Sequence, residues 1–165
     1  MVLNNKEKES NIALNIDQMR KLISLGMNCD DASMVYHPLT QHSDIFNLQV
    51  TNIELRKKLR SNPKTMAIIG EDNFNLMYGR DVPAYTADDI LRKLPQEITV
   101  NGIKHRIFFT IRSRGKKPEY QASYNFADED GKMKSSLMDV WKSDSFLTLL
   151  YGILIWCITN KHLPL

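Results

Sequence analysis

Cysteine is scarce in this 165-residue chain, which holds only Cys29 and Cys157. Two thiols cannot build the disulfide framework of a small secreted scaffold, and such usage fits a reducing cytoplasm. Long apolar runs are lacking as well. The densest, Phe146–Ile158, is broken only by Thr148 and Gly152 and has 13 residues, where a membrane span needs roughly 20. Polar segments flank it, so it is expected to be a buried core helix rather than a membrane contact. No apolar stretch follows Lys6-Glu7-Lys8-Glu9 to make a secretory leader, and residues 1–12 are expected to form a mobile polar tail. Charge of one sign is not in excess either. There are 22 Lys and Arg against 19 Asp and Glu, a net charge of +3, too even a balance to bind polyanions through bulk charge alone.

Motifs that carry chemistry are missing in the same way. There is no GxGxxG, GxxxxGKS/T, GxSxG or HExxH. Among the histidines, His37, His42, His105 and His162, no pair has metal-ligand spacing, and a zinc site needs three or four N or S ligands. Asp128-Glu129-Asp130-Gly131 shares the acids and the glycine of a calcium loop but lacks its further ligands. Ser135-Ser136 has no base nearby in sequence. The chain is therefore expected to have no catalytic residue, no metal and no cofactor, and to act by binding.

What is present is a set of punctuated elements. Asn15 caps a predicted helix over Ile16–Leu25, whose apolar residues fall at helical spacing, and Gly26 stands where a left-handed C-terminal residue belongs. Met34–His37 and Ile45–Val50 have strand composition, and Ile53–Leu59 holds good helix formers. Thr65–Ile69 and Phe74–Tyr78 read as two strands of a hairpin turning at Gly70–Asn73. Thr86 caps a helix whose third residue after the cap is Asp89, and Pro95 stops it. Asn101-Gly102 between β-branched runs is a strong short-range hairpin signal, because both residues accept positive φ. Glu119–Phe126 returns as a strand after a turn at Gly115–Pro118. Ser143 or Asp144 is expected to cap the terminal helix. The order predicts a single α+β domain over residues 13–165, with a mostly antiparallel sheet packed against the N-terminal and C-terminal helices. Should one side of the terminal helix stay exposed, a homodimer through it becomes the expected assembly.

Two basic clusters stand out. One is Arg56-Lys57-Lys58 with Arg60 and Lys64; the other is Arg112, Arg114, Lys116 and Lys117 around a hairpin tip. Cations at edges and tips keep a sheet soluble, and the same cations can neutralise phosphates and release counterions. Nucleic acid is accordingly the alternative partner to a protein.

Three blocks carry a resemblance. They are Leu14–Gly26 followed by Asp31-Ala32-Ser33-Met34-Val35-Tyr36; Pro83-Ala84-Tyr85-Thr86-Ala87-Asp88-Asp89-Ile90-Leu91-Arg92-Lys93-Leu94-Pro95; and Leu149-Leu150-Tyr151-Gly152-Ile153-Leu154-Ile155-Trp156-Cys157. Together they resemble small uncharacterised proteins encoded in prophages and mobile elements of gut anaerobes. Residues 41–82 have no counterpart there and read as an insertion or a divergent region. The resemblance implies a cytoplasmic accessory protein that binds a host or phage protein, and it implies no site residues.

Overall fold

Asn15 and Gln18 start the first helix by capping each other. The Asn15 side chain accepts from the Gln18 backbone N–H and the Gln18 side chain accepts from the Asn15 N–H, both at 2.9 Å. Helix α1, Ile16–Ser24, follows and buries Met19 and Leu22, and Gly26 takes φ 92° beyond its end. The structure is a computed structural model that describes residues 12–51, 53–115, 117–127, 132–136 and 140–163. The expected polar tail lies outside the described residues except for Ile12, and so does the expected turn at 128–131.

The architecture is α+β with helices at both ends, as the element order predicts. The chain groups into two compact units, residues 1–89 and 90–165. In the first, strands β1 (Met34–Pro38), β2 (Phe46–Gln49) and β3 (Val82–Ala84) form an antiparallel sheet in the order β2-β1-β3, and α1 packs on β3. Between β2 and β3 run α2 (Ile53–Ser61), α3 (Pro63–Ile69) and α4 (Glu71–Tyr78). These replace the expected hairpin over residues 65–78. Asn62 caps α3, with Pro63 at its first turn, and Gly70 at φ 77°, ψ 152° turns the chain directly into α4, which Glu71 and Asp72 open. Residues 41–82 are thus woven into the sheet at both ends, since β2 and β3 both pair with β1.

Helix α5, Ala87–Lys93, spans the boundary. Its capping box forms as predicted. Asp89 Oδ2 accepts from the Thr86 N–H at 2.8 Å, and the Asp89 N–H donates to Thr86 Oγ1 at 3.3 Å.

The second unit is a five-stranded antiparallel sheet of β4 (Glu97–Val100), β5 (Ile103–Arg114), β6 (Lys117–Ala127) and β7 (Met133–Ser136), with β8 (Trp141–Ser143) also paired to β6. Asn101 at φ 52° and Gly102 at φ 79° make the tight β4–β5 turn. Helix α6, Phe146–Thr159, packs on β6 and β8. Its cap is Ser145, one or two residues later than expected, and the Ser145 hydroxyl accepts from the Thr148 N–H. Leu149, Leu150, Ile153, Leu154 and Cys157 are buried, while Trp156 is half-buried against Trp141, Tyr124 and His162 rather than fully enclosed. No large apolar side chain of α6 is exposed, and Phe146, Tyr151, Ile155 and Trp156 are half-buried. Among the described residues, no helix is long and apolar enough to cross a membrane.

Candidate functional site

Strand alternation sorts the second unit's sheet into two unlike faces, because successive side chains point to opposite sides. One face carries Ile98, His105, Ile107, Phe109, Tyr120, Ala122, Tyr124 and Trp141, and it meets α6. Phe109 and Tyr120 both reach Phe146, and the Tyr124 hydroxyl donates to the Pro95 carbonyl at 2.8 Å. Burial drives the Tyr124 phenol pKa up and pushes the Cys157 thiol up to about 11.

The other face carries Lys104, Arg106, Phe108, Thr110 and Arg112 along β5. The register sets Glu97 and Thr99 of β4 beside Arg106 and Lys104, and sets Asn125, Ser123, Gln121 and Glu119 of β6 opposite Arg106, Phe108, Thr110 and Arg112. Lys142 of β8 lies opposite Gln121, and Lys117 begins β6 at the far end. Among the described residues five cations, Lys104, Arg106, Arg112, Lys117 and Lys142, thus share this face with two carboxylates, Glu97 and Glu119, and all five cations are exposed. Lys104 Nζ and Arg106 Nε reach Glu97 at 3.0 and 3.1 Å, and their hydrogen bonds hold its carboxyl below the usual range. Gln121 donates to Glu119 and is buried beneath its neighbours.

Phe108 stands in the middle of this polar field, 40% exposed. Among the described residues it makes no ring contact, whereas Phe109 next to it packs edge-on against Phe146. Large apolar side chains are normally kept off a solvated sheet face.

The predicted site residues are divided by the fold. Arg112 and Lys117 lie on this face near the β5–β6 turn. Arg114 is the last residue of β5, in register with Lys117, and Lys116 falls outside the described residues. Arg56, Lys57 and Lys58 lie on α2 in the other unit, where Lys57 and Lys58 are exposed and Arg56 alone is buried. Arg56 is only 8% exposed, ion-paired with Asp81 and stacked over the Tyr78 ring at 4.8 Å. Lys57 pairs with Asp30 and Arg60 with Glu71, while Lys58 is exposed. A buried guanidinium held by a carboxylate cannot meet a phosphate; it anchors α2 to the loop before β3.

The groups with reactive chemistry are also placed structurally. His37 Nδ1 lies 2.7 Å from Asp81 Oδ1. Burial, then the Arg56 charge, lowers the His37 pKa; Arg56 already answers the Asp81 carboxylate, which is left to orient a neutral ring. Tyr85 Oη donates to Asp31 Oδ1 at 2.9 Å and interacts with Cys29; Tyr85 and Cys29 are buried, while Asp31 lies at the surface. Two shallow surface hollows are present. One, of about 370 Å³, is lined by Gln41, His42, Asp72, Asn75, Leu76 and Arg80. The other, of about 290 Å³, is lined by Lys117, Pro118, Glu119, Lys142, Ser143 and Asp144, and it borders the basic face. Among the described residues no group of three or more His, Cys, Asp or Glu is arranged to hold a metal.

No family model, curated protein or solved structure matches this chain.

Proposed function

We propose that this protein is a non-enzymatic accessory protein that binds nucleic acid through the basic face of its second sheet. One observation carries the reading: Lys104, Arg106, Arg112, Lys117 and Lys142 converge on one solvent-facing surface with an exposed aromatic at its centre. Cations at a hairpin tip alone are accounted for by solubility. Cations spread over three strands of one face, outnumbering the carboxylates there among the described residues, make a field that attracts phosphates and releases their counterions. The blocks around Leu14–Tyr36, Pro83–Pro95 and Leu149–Cys157 support a cytoplasmic role of the phage or mobile-element type.

The test is titration of labelled oligonucleotides at 50 and 200 mM salt. Binding should weaken with salt, and Arg112→Ala and Lys142→Ala should each flatten that dependence by up to about 0.7–0.9 in log–log slope. Absence of binding at the lower salt to single strands and duplexes alike overturns the reading.

A second reading, a protein partner, is favoured by the helices between β2 and β3. Leu55, Leu59, Ile68, Leu76 and Met77 are exposed there, and α3 has no buried residue. Such a surface fits an apolar protein face. Nuclease-resistant capture of one defined partner, lost in Leu55→Asp or Ile68→Asp, would put this reading first.

A further inference from the structure

We infer that the ligand of the basic face is a single strand, with a base stacked on Phe108; this rests on the nucleic-acid reading and narrows it. The geometry of the face sets the argument. Phe108 lies on β5 two residues from Arg106 and Thr110, and four from Arg112. Ser123 is directly across and Asn125 and Gln121 are its diagonal neighbours, so hydroxyl and amide groups surround the ring. Arg106 and Arg112 are six residues apart on the same strand, about 20 Å at roughly 3.4 Å per residue. That span takes a few nucleotides, with cations at both ends for the backbone and an aromatic between them for a base.

A duplex makes poorer use of this arrangement than a single strand does. Its bases are already stacked and paired, so Phe108 could reach one only by wedging between base steps, at an unstacking cost that a single strand does not incur. A single strand presents the π faces of its bases, and stacking on an aromatic side chain tolerates any base. The neighbouring Ser123 and Asn125, both half-exposed, can bond base edges, which a splayed single strand exposes. A phenylalanine 40% exposed in a row of Lys and Arg is costly to solubility, and it lies on the face opposite the one where Phe109 packs against Phe146. The face is arranged for a ligand that is anionic along its length and aromatic at intervals.

The experiment uses the full chain and fluorescein-labelled dT15, a 15-base-pair duplex and heparin, with Phe108→Ala, Phe108→Tyr and Arg112→Ala. The wild type should prefer dT15 to the duplex. Phe108→Ala should weaken dT15 binding by about 5- to 100-fold, the usual span for one stacked base, with its salt slope unchanged. Phe108→Tyr should restore binding. Arg112→Ala should instead lower the slope, by about 0.7 for a single strand. Phe108 is exposed, so its loss should leave the circular dichroism spectrum intact. If dT15, duplex and heparin bind alike and Phe108→Ala changes nothing, the single-strand inference falls while the polyanion reading stands. If none of the three binds at 50 mM salt, the polyanion reading falls with it.

Discussion

Replacing Asp81 with Asn should destabilise the first unit more than any change on its surface. Asp81 has a side chain only 4% exposed and sits between two cationic or cation-capable groups, Arg56 and His37. The amide keeps the shape and can still accept a hydrogen bond, but it no longer carries the charge that compensates Arg56, whose side chain is 10% exposed. An uncompensated buried charge costs about 3–5 kcal/mol when its partner is removed. A domain has only about 5–15 kcal/mol of total stability, so the loss is a large fraction of it. The stacking of Arg56 on Tyr78 offsets little, because a cation–π contact contributes on the order of 1 kcal/mol. The assay is urea unfolding followed by far-UV circular dichroism, since both tryptophans, Trp141 and Trp156, belong to the other unit. The paired variant Arg56→Met with Asp81→Leu removes both charges and should be far milder, as buried ion pairs replaced by apolar groups are often neutral. A loss below about 1 kcal/mol for Asp81→Asn, or a paired variant as damaged as the single one, refutes the account of Arg56 as a buried anchor.

Gly70→Ala should destabilise by about 1–3 kcal/mol, because φ 77° with ψ 152° is a backbone region open essentially only to glycine. The space around a new Cβ is empty, so strain alone is measured, and an unchanged urea midpoint would contradict the α3–α4 junction. Alkaline pH should destabilise the second unit. The Cys157 thiol ionises near 9 when exposed and is pushed up to about 11 by burial. Between those values the folded chain keeps a proton that the unfolded chain has lost, so stability is whole below pH 9 and falls as pH rises through the window. The buried Tyr124 hydroxyl acts in the same direction, and a urea midpoint by tryptophan fluorescence that stays flat from pH 8 to 11 would count against both.

The elements legible in the sequence were those with local signals of a single meaning. Asn15, Gly26, Thr86 with Asp89, and Asn101-Gly102 each have one physical use at their positions, and each is found in it. The segment over residues 65–78 was misread because two signals competed. Thr65, Ile68 and Ile69 favour a strand and Gly70–Asn73 has the composition of a turn, whereas Asn62-Pro63 announces a helix start. The cap prevailed because Asn62 satisfies the first free N–H groups of α3, and Gly70 serves as a junction between helices. The burial of Arg56 depends on Asp81, twenty-five positions along the chain, and no local pattern announces that pairing.

The basic face is a different case, because its parity is written in the sequence while its neighbours are set only by the fold. Lys104, Arg106, Phe108, Thr110 and Arg112 alternate with His105, Ile107, Phe109 and Ile111. Once the run is a strand, period two requires Phe108 and Phe109 to point to opposite sides. Reading only the charges at the tip separates them from the aromatic. Reading the whole strand by parity puts one of the two phenylalanines among the cations, and the neighbours of each decide which. Phe109 shares its side with Ile107 and His105, the side that α6 covers. Phe108 is therefore committed to the solvent side by the same alternation that builds the core, and its exposure cannot be relieved by a change of rotamer. Slipping β5 by one residue would bury Phe108 but would carry Lys104, Arg106 and Arg112 into the core with it. The aromatic and the cations are presented together or not at all, and for that reason they are treated as one surface with one ligand.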